Sequence, residues 1–119
     1  MTKTQLITQI NQLHKGGLNS SNTGYSSINK SKEVWWFNIA LPKFNEDVHL
    51  LLSAGNYSLW LHLPKGFIKQ LGSTFKIRED KNAVDLEISA DKNYKYLKDV
   101  KSGGIGFDFT AFVKEKIVF

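Results

Sequence analysis

The sequence contains no cysteine, two prolines and one methionine among its 119 residues. Without cysteine, disulfide bonds and thiol catalysis are excluded, and a structural zinc site would have to use histidine and carboxylate ligands alone. No apolar run approaches the roughly 20 residues that cross a bilayer, and the first ten residues lack the roughly 7–15-residue apolar core of a secretory signal. These absences predict a cytoplasmic protein with no membrane partner.

The residues that are present have the composition of one globular domain. Hydrophobic residues make up 41% of the chain and aromatic residues 13%, which is typical of a folded protein and not of a disordered one. We therefore treat residues 1–119 as a single domain. The formal net charge of +5 divides into +2 over the first 60 residues and +3 over the rest, so there is no basic tail. The excess of cations nevertheless favours contact with a polyanion.

The most informative segment is the aromatic run at 33–41, Glu-Val-Trp-Trp-Phe-Asn-Ile-Ala-Leu. Bulky residues at consecutive positions predict a central strand that is covered on both faces. Neighbouring strand residues point to opposite faces, so Trp35 and Trp36 must serve different layers. We expect Trp36 to anchor the core. Trp35 and Trp60 are the candidates for an exposed aromatic surface that contacts another protein or a second copy of this chain.

The first 33 residues divide into a helix and a polar segment. Residues 2–15 predict an amphipathic helix, with Thr2 and Gln5 spaced as a capping box and an apolar stripe formed by Leu6, Ile10 and Leu13. In residues 16–33, twelve of eighteen positions are Gly, Ser, Thr or Asn. This composition favours a mobile loop, and a functional loop or a short edge strand at 25–28 are the alternatives.

The remaining patterns predict hairpins. Segments 48–53 and 58–63 flank Gly55-Asn56, which suits a type II′ turn and would place His49 opposite His62. Further expectations are a short helix at 65–71, a hairpin of 75–78 with 84–89, and a half-buried strand at 105–113. Together they predict an α+β fold, in which the N-terminal helix packs on a mostly antiparallel, twisted sheet of five to seven strands with one further short helix.

Catalytic and metal-binding patterns are weak. His49 and His62 would need a third ligand such as Asp47 or Glu46 to hold a metal, and a hydrogen-bonded pair on a polar face is the commoner arrangement. Asp85 and Glu87 share a strand face, but salt pairing with Lys76 and Arg78 across the hairpin explains them. We therefore assign no catalytic residue, metal ligand or cofactor, and we expect a protein that is not an enzyme.

Residues 92–101, Lys-Asn-Tyr-Lys-Tyr-Leu-Lys-Asp-Val-Lys, form the best interaction candidate. The pattern suits either a helix with one lysine stripe or a strand, and in both cases cations lie beside rings that can stack on bases. The predicted nucleic-acid-binding residues are Lys92, Tyr94, Lys95, Tyr96, Lys98 and Lys101. The alternative is a solvated lysine-rich face with half-buried tyrosines. The expected function is accordingly a small binding module for nucleic acid, with a protein-interaction or homo-oligomeric module as the alternative and a small enzyme as the less favoured one.

Overall fold

The computed structural model describes all 119 residues, which form two α-helices and seven strands. The helices are α1 (Lys3–His14) and α2 (Leu71–Thr74). The strands are β1 (Thr23–Ser27), β2 (Val34–Ala40), β3 (Val48–Ser53), β4 (Tyr57–Leu63), β5 (Lys76–Arg78), β6 (Ala83–Ser89) and β7 (Val113–Val118). Short 3₁₀ turns occupy Leu41–Asn45 and Thr110–Phe112. The predicted α+β class, with a helix on mostly antiparallel strands, is confirmed.

The strands form two sheets, not the single sheet that we expected. The larger sheet has the order β1-β3-β4-β7, and the smaller has the order β2-β6-β5. Every pair is antiparallel except β1 with β3, which run parallel. The main core lies between the two sheets, where side chains such as Trp35, Leu50, Leu61 and Leu86 are fully buried or nearly so. Burial of this apolar area is the principal stabilising term of the fold.

Helix α1 covers the other face of the larger sheet and makes the fold three layers deep. The predicted capping box is present, because Thr2 Oγ1 accepts from Gln5 N at 3.2 Å and Gln5 Oε1 accepts from Thr2 N at 2.8 Å. Leu6 and Ile10 are buried in a second apolar cluster with Leu51, Trp60 and Ile117. Leu13 of the predicted stripe is exposed, so the apolar face is narrower than expected. Neither α-helix is long and apolar enough to cross a membrane.

The tryptophans occupy the opposite positions from those we expected. Trp35 is fully buried between the sheets and Trp60 is 2% exposed beneath α1, so neither can form an exposed surface. Trp36 is 46% exposed, so the expectation that it anchors the core is wrong. The reason is that only one face of the smaller sheet is covered by the larger sheet, and the odd-numbered residues of β2 point to that face.

The polar segment 16–33 contains a strand, so the prediction of a loop throughout is wrong and the edge-strand alternative holds. Residues of β1 pair with β3 in parallel, with Tyr25 opposite Leu51. A Cβ on Gly24 would lie 3.2 Å from Phe37 and 3.3 Å from Leu50. Small residues are therefore needed here because β1 passes close to the core. In the sequence alone, the same small residues are typical of a loop.

The hairpins at 48–63 and 76–89 are confirmed, including the His49–His62 and Leu51–Trp60 pairs. In the turn between β3 and β4, Ala54 N donates to Tyr57 O at 2.8 Å across Gly55 and Asn56, but Gly55 does not take the positive φ of a type II′ turn.

Two other elements lie elsewhere than predicted. The short helix is α2 rather than 65–71, and in place of the strand predicted at 105–113, residues 105–109 are irregular and Thr110–Phe112 form a 3₁₀ turn. The alternating Phe107 and Phe109 instead pack their rings against Phe75, at 5.6 and 5.9 Å between centroids. Alternation here reflects an aromatic cluster and not a sheet.

Candidate functional site

The Lys/Tyr segment at 92–101 is neither helix nor strand but a series of turns held against the smaller sheet. Leu97 N donates to Ser89 O at 2.9 Å, and Ser89 N donates to Lys98 O at 2.9 Å. These bonds continue the sheet beyond the end of β5. Lys95 and Leu97 both have left-handed backbones, with φ of 50° and 63°. The Leu97 side chain lies in the core, where it is 5% exposed, whereas Lys95 and Lys98 are exposed.

Four of the six predicted nucleic-acid-binding residues are exposed and lie within seven residues of chain. Lys92, Lys95 and Lys98 are exposed and make no ion pair. Tyr94 is 58% exposed, and Lys95 Nζ lies 5.3 Å from the centroid of its ring. We call these four residues the Lys/Tyr face. It combines unpaired cations with one accessible aromatic ring.

Tyr96 and Lys101 do not belong to the Lys/Tyr face. Tyr96 is half-buried with its ring 6.4 Å from that of Trp35, and burial raises the pKa of its hydroxyl. Lys101 Nζ lies 3.3 Å from Glu87 Oε2 and 3.5 Å from Asp85 Oδ2. Its hydrogen bond with Glu87 and the charge of Asp85 raise the pKa of the Lys101 ammonium. Lys101 therefore neutralises the carboxylates of Asp85 and Glu87 and is not free to bind a phosphate.

The exposed face of the smaller sheet carries a group of carboxylates under Trp36. Trp36 Nε1 donates to Asp85 Oδ1 at 2.7 Å. The expected pairing of Asp85 and Glu87 with Lys76 and Arg78 is wrong, since Lys101 contacts both carboxylates and Arg78 pairs with Asp80. The geometry is that of ion pairs on a sheet face.

Asp99, next to this group, is 2% exposed, and burial raises the pKa of its carboxyl. Its Oδ1 accepts from the backbone N–H groups of Glu87 and Lys101, whereas Oδ2 has no partner. No group of three His, Asp or Glu side chains in the structure could hold a metal ion.

His49 and His62 meet as the register predicts, and their rings stack with centroids 4.7 Å apart. Asp47 Oδ2 lies 3.0 Å from His62 Nε2, and the backbone N–H of Lys65 donates to Asp47 Oδ1 at 2.8 Å. Trp60 Nε1 donates to His49 Nδ1 at 3.0 Å. Burial, reinforced by the neighbouring His62, lowers the pKa of His49 to about 4. His49 is therefore neutral at physiological pH.

A polar pocket of about 760 Å³ opens beside His49. It is lined by Gly16, Gly17, Asn19, Ser21, Asn22, Pro42, Lys43, Glu46, Asp47 and His49. The sequence pattern does not indicate this pocket, because its wall comes from two segments that are distant in sequence. The only local signals were the Asn/Ser/Gly composition after α1 and the acidic pair at 46–47.

Comparison with protein-family models, with curated proteins and with solved structures finds no match for this chain. Its function must therefore be argued from its own surfaces.

Proposed function

We propose that this protein is a non-catalytic binding module that contacts single-stranded nucleic acid through the Lys/Tyr face. The observation that carries the proposal is an accessible tyrosine ring, Tyr94, with three unpaired lysines within seven residues of chain. Lysines neutralise phosphates and release counterions, while an exposed ring stacks on an unpaired base for roughly 1–3 kcal/mol.

The backbone of the segment supports the same function. A left-handed conformation costs a non-glycine residue roughly 1–2 kcal/mol, and Lys95 and Leu97 both adopt it. Strain of this kind persists where the surrounding structure fixes it, and it is concentrated at functional positions. Here the hydrogen bonds of Leu97 and Lys98 with Ser89 fix it. The lysines are thus presented from a rigid support, which lowers the entropy lost on binding.

The first test replaces Lys92, Lys95 and Lys98 together with Gln. Affinity for a fluorescein-labelled single-stranded oligonucleotide, measured by anisotropy at roughly 50 mM salt, should fall about tenfold or more. The matched control replaces the exposed Lys15, Lys65 and Lys114 with Gln, which lowers the net charge equally. Equal losses in the two triple variants would show that binding follows net charge, and the Lys/Tyr face would then have no special role.

The second test replaces Tyr94 with Ala. Because the ring can stack only on unpaired bases, affinity for a single strand should fall roughly fivefold to a hundredfold, with little change for a duplex of the same sequence. Tyr25→Ala serves as the control, since that ring packs against the cluster beneath α1. A Tyr94→Ala protein that binds single strands as tightly as the unmodified protein would contradict the stacking role.

A second candidate function is protein contact through Trp36. The ring is 46% exposed on the uncovered face of the smaller sheet and is fixed by its hydrogen bond with Asp85. Tryptophan residues held in this way are common anchors of protein interfaces. Sedimentation velocity over a concentration series should show self-association that Trp36→Ala abolishes if the partner is a second copy of this chain. A monomer at every concentration would exclude that partner.

A further inference from the structure

The pocket beside His49 contains a hydrogen-bond donor that the protein itself does not satisfy. Because His49 Nδ1 accepts from Trp60 Nε1, the neutral ring carries its proton on Nε2. Nε2 makes no hydrogen bond, although the residue is only 4% exposed. His49 Nε2 is not among the fully enclosed side-chain atoms without a partner, and His49 lines the pocket. The donor is therefore available to an acceptor that enters the pocket.

The charges around the pocket select against anions. Lys43 is the one cation in the lining, and Glu46 and Asp47 are the two acids. Hydrogen bonds from the Lys65 backbone and from His62 hold the pKa of Asp47 below its usual range, so Asp47 is charged at neutral pH. The pocket also borders the negative end of the α1 dipole at Gly16 and Gly17. The net field is therefore negative, and it disfavours phosphates and carboxylates.

The wall of the pocket is polar and is fixed by its own hydrogen bonds. Asn22 Nδ2 donates to Gly17 O at 3.1 Å, and Lys43 Nζ donates to Ser21 O. His49 N donates to Asn22 O at 2.8 Å, which ties this wall to β3. Pro42 is the one lining residue with a wholly apolar side chain. The other side chains supply amides, a hydroxyl, an ammonium, carboxylates and an imidazole, so the lining holds both donors and acceptors.

We propose that this pocket binds a small, uncharged, polyhydroxylated ligand with the chemistry of a saccharide. The Nε2–H of His49 donates to a ligand oxygen, and the carboxylates of Glu46 and Asp47 accept from ligand hydroxyls. Hydroxyl groups both donate and accept, so they satisfy such a lining without bringing a charge into a negative field. No Phe, Tyr or Trp lines the pocket to stack on a sugar ring, so we expect a Kd of roughly 1–10 mM.

The test is a titration of the ¹⁵N-labelled protein with glucose, galactose, mannose and N-acetylglucosamine, each to about 50 mM. The Trp60 indole N–H is the reporter, because it donates to the same His49 ring. At least one sugar should shift this signal and those of residues 16–22 saturably, and phosphate should not. His49→Gln should weaken binding about fivefold or more. His14→Gln, at an exposed histidine outside the pocket, should leave binding unchanged.

Glu46→Gln provides a second variant at an exposed position, in case His49→Gln unfolds the protein. It should also weaken sugar binding severalfold, since it removes one charged acceptor. The absence of a saturable shift with all four sugars would overturn the proposal, as would binding that neither variant weakens. Saturation by phosphate instead would show that the ligand class is wrong. The Lys92/Lys95/Lys98→Gln protein should retain sugar binding, so this test is independent of the nucleic-acid proposal.

Discussion

At the scale of single residues, the two adjacent tryptophans show how the face of a strand on which a side chain lies decides its contribution to stability. Trp35 is fully buried and donates to Ser53 O at 2.9 Å, whereas Trp36 is 46% exposed. The sequence alone could predict that they face opposite layers, but not which layer is covered. That depends on where the larger sheet packs, which is a contact between residues distant in sequence.

The first residue-scale prediction compares Trp35→Ala with Trp36→Ala. The Trp35 variant should lose roughly 3–5 kcal/mol of unfolding free energy, because it leaves a large cavity between the sheets. The Trp36 variant should lose roughly 1–2 kcal/mol, since it removes one hydrogen bond to the buried Asp85 and little buried area. Urea unfolding monitored by circular dichroism measures both. A larger loss for Trp36 than for Trp35 would contradict the assignment of faces.

A further prediction at this scale concerns His49 and pH. The unfolded chain binds a proton at His49 near pH 6.5, whereas the folded protein does so only near pH 4. Between these values the unfolded state holds more protons, so stability falls as the pH falls, by about 3 kcal/mol in total from this residue. His49→Gln should remove this part of the pH dependence.

The measurement is the free energy of urea unfolding at intervals between pH 7.5 and pH 4, for the unmodified protein and for the variant. His14→Gln is the matched control for replacing an imidazole by an amide, and the loss of stability on acidification should be smaller in His49→Gln than in this control. A His49→Gln protein that loses as much stability on acidification as the unmodified protein would show that His49 titrates normally.

At the scale of elements, the polar segment after α1 is the clearest case of sequence reasoning that failed for a physical reason. Composition predicts a loop because Gly, Ser and Asn are poor strand formers. The backbone of β1 nevertheless pairs with five residues of β3. The absence of a side chain at Gly24 lets β1 pass close to Phe37. By contrast, the β3–β4 register and the capping box of α1 were predictable, since both are set by neighbouring residues.

The element-scale prediction uses two glycines as a pair. Gly24→Ala should destabilise the fold by roughly 1–3 kcal/mol, because the new methyl group would press on Phe37 and Leu50. Gly55→Ala should change stability by less than about 0.5 kcal/mol, since no atom lies within 4 Å of the position of the new Cβ and the φ of Gly55 is not positive. Thermal unfolding of the two variants in parallel provides the comparison. Equal effects would mean that β1 does not pass over the core as described.

At the scale of the whole molecule, the sequence predicted the class of fold. It did not predict that the strands form two sheets, nor which tryptophans are exposed. Five of the seven strands, β2 to β6, and the single helix layer follow from local patterns, whereas the division into two sheets follows from the β2–β6 pairing of residues about 50 positions apart. The Lys/Tyr face was partly predictable, because the lysine spacing is visible in the sequence. That Lys101 lies outside this face was not predictable, since it forms ion pairs with Asp85 and Glu87 on β6.

The two proposed binding sites, the Lys/Tyr face and the pocket beside His49, use different residues of the chain. The Lys/Tyr face offers unpaired cations, and the pocket beside His49 is polar with a negative field. A polyanion and a neutral sugar should therefore bind without direct competition. Under the two proposals, the sheets would support two separate recognition surfaces.

The most direct test of the central proposal is the salt dependence of binding to a single-stranded oligonucleotide. Three phosphate contacts, from Lys92, Lys95 and Lys98, predict a log–log slope of about −2 for the unmodified protein. Replacing these three lysines with Gln should bring the slope close to zero, and the Lys15/Lys65/Lys114 control should keep it near −2. No binding by the unmodified protein at roughly 50 mM salt, or the same slope for both triple variants, would contradict the account.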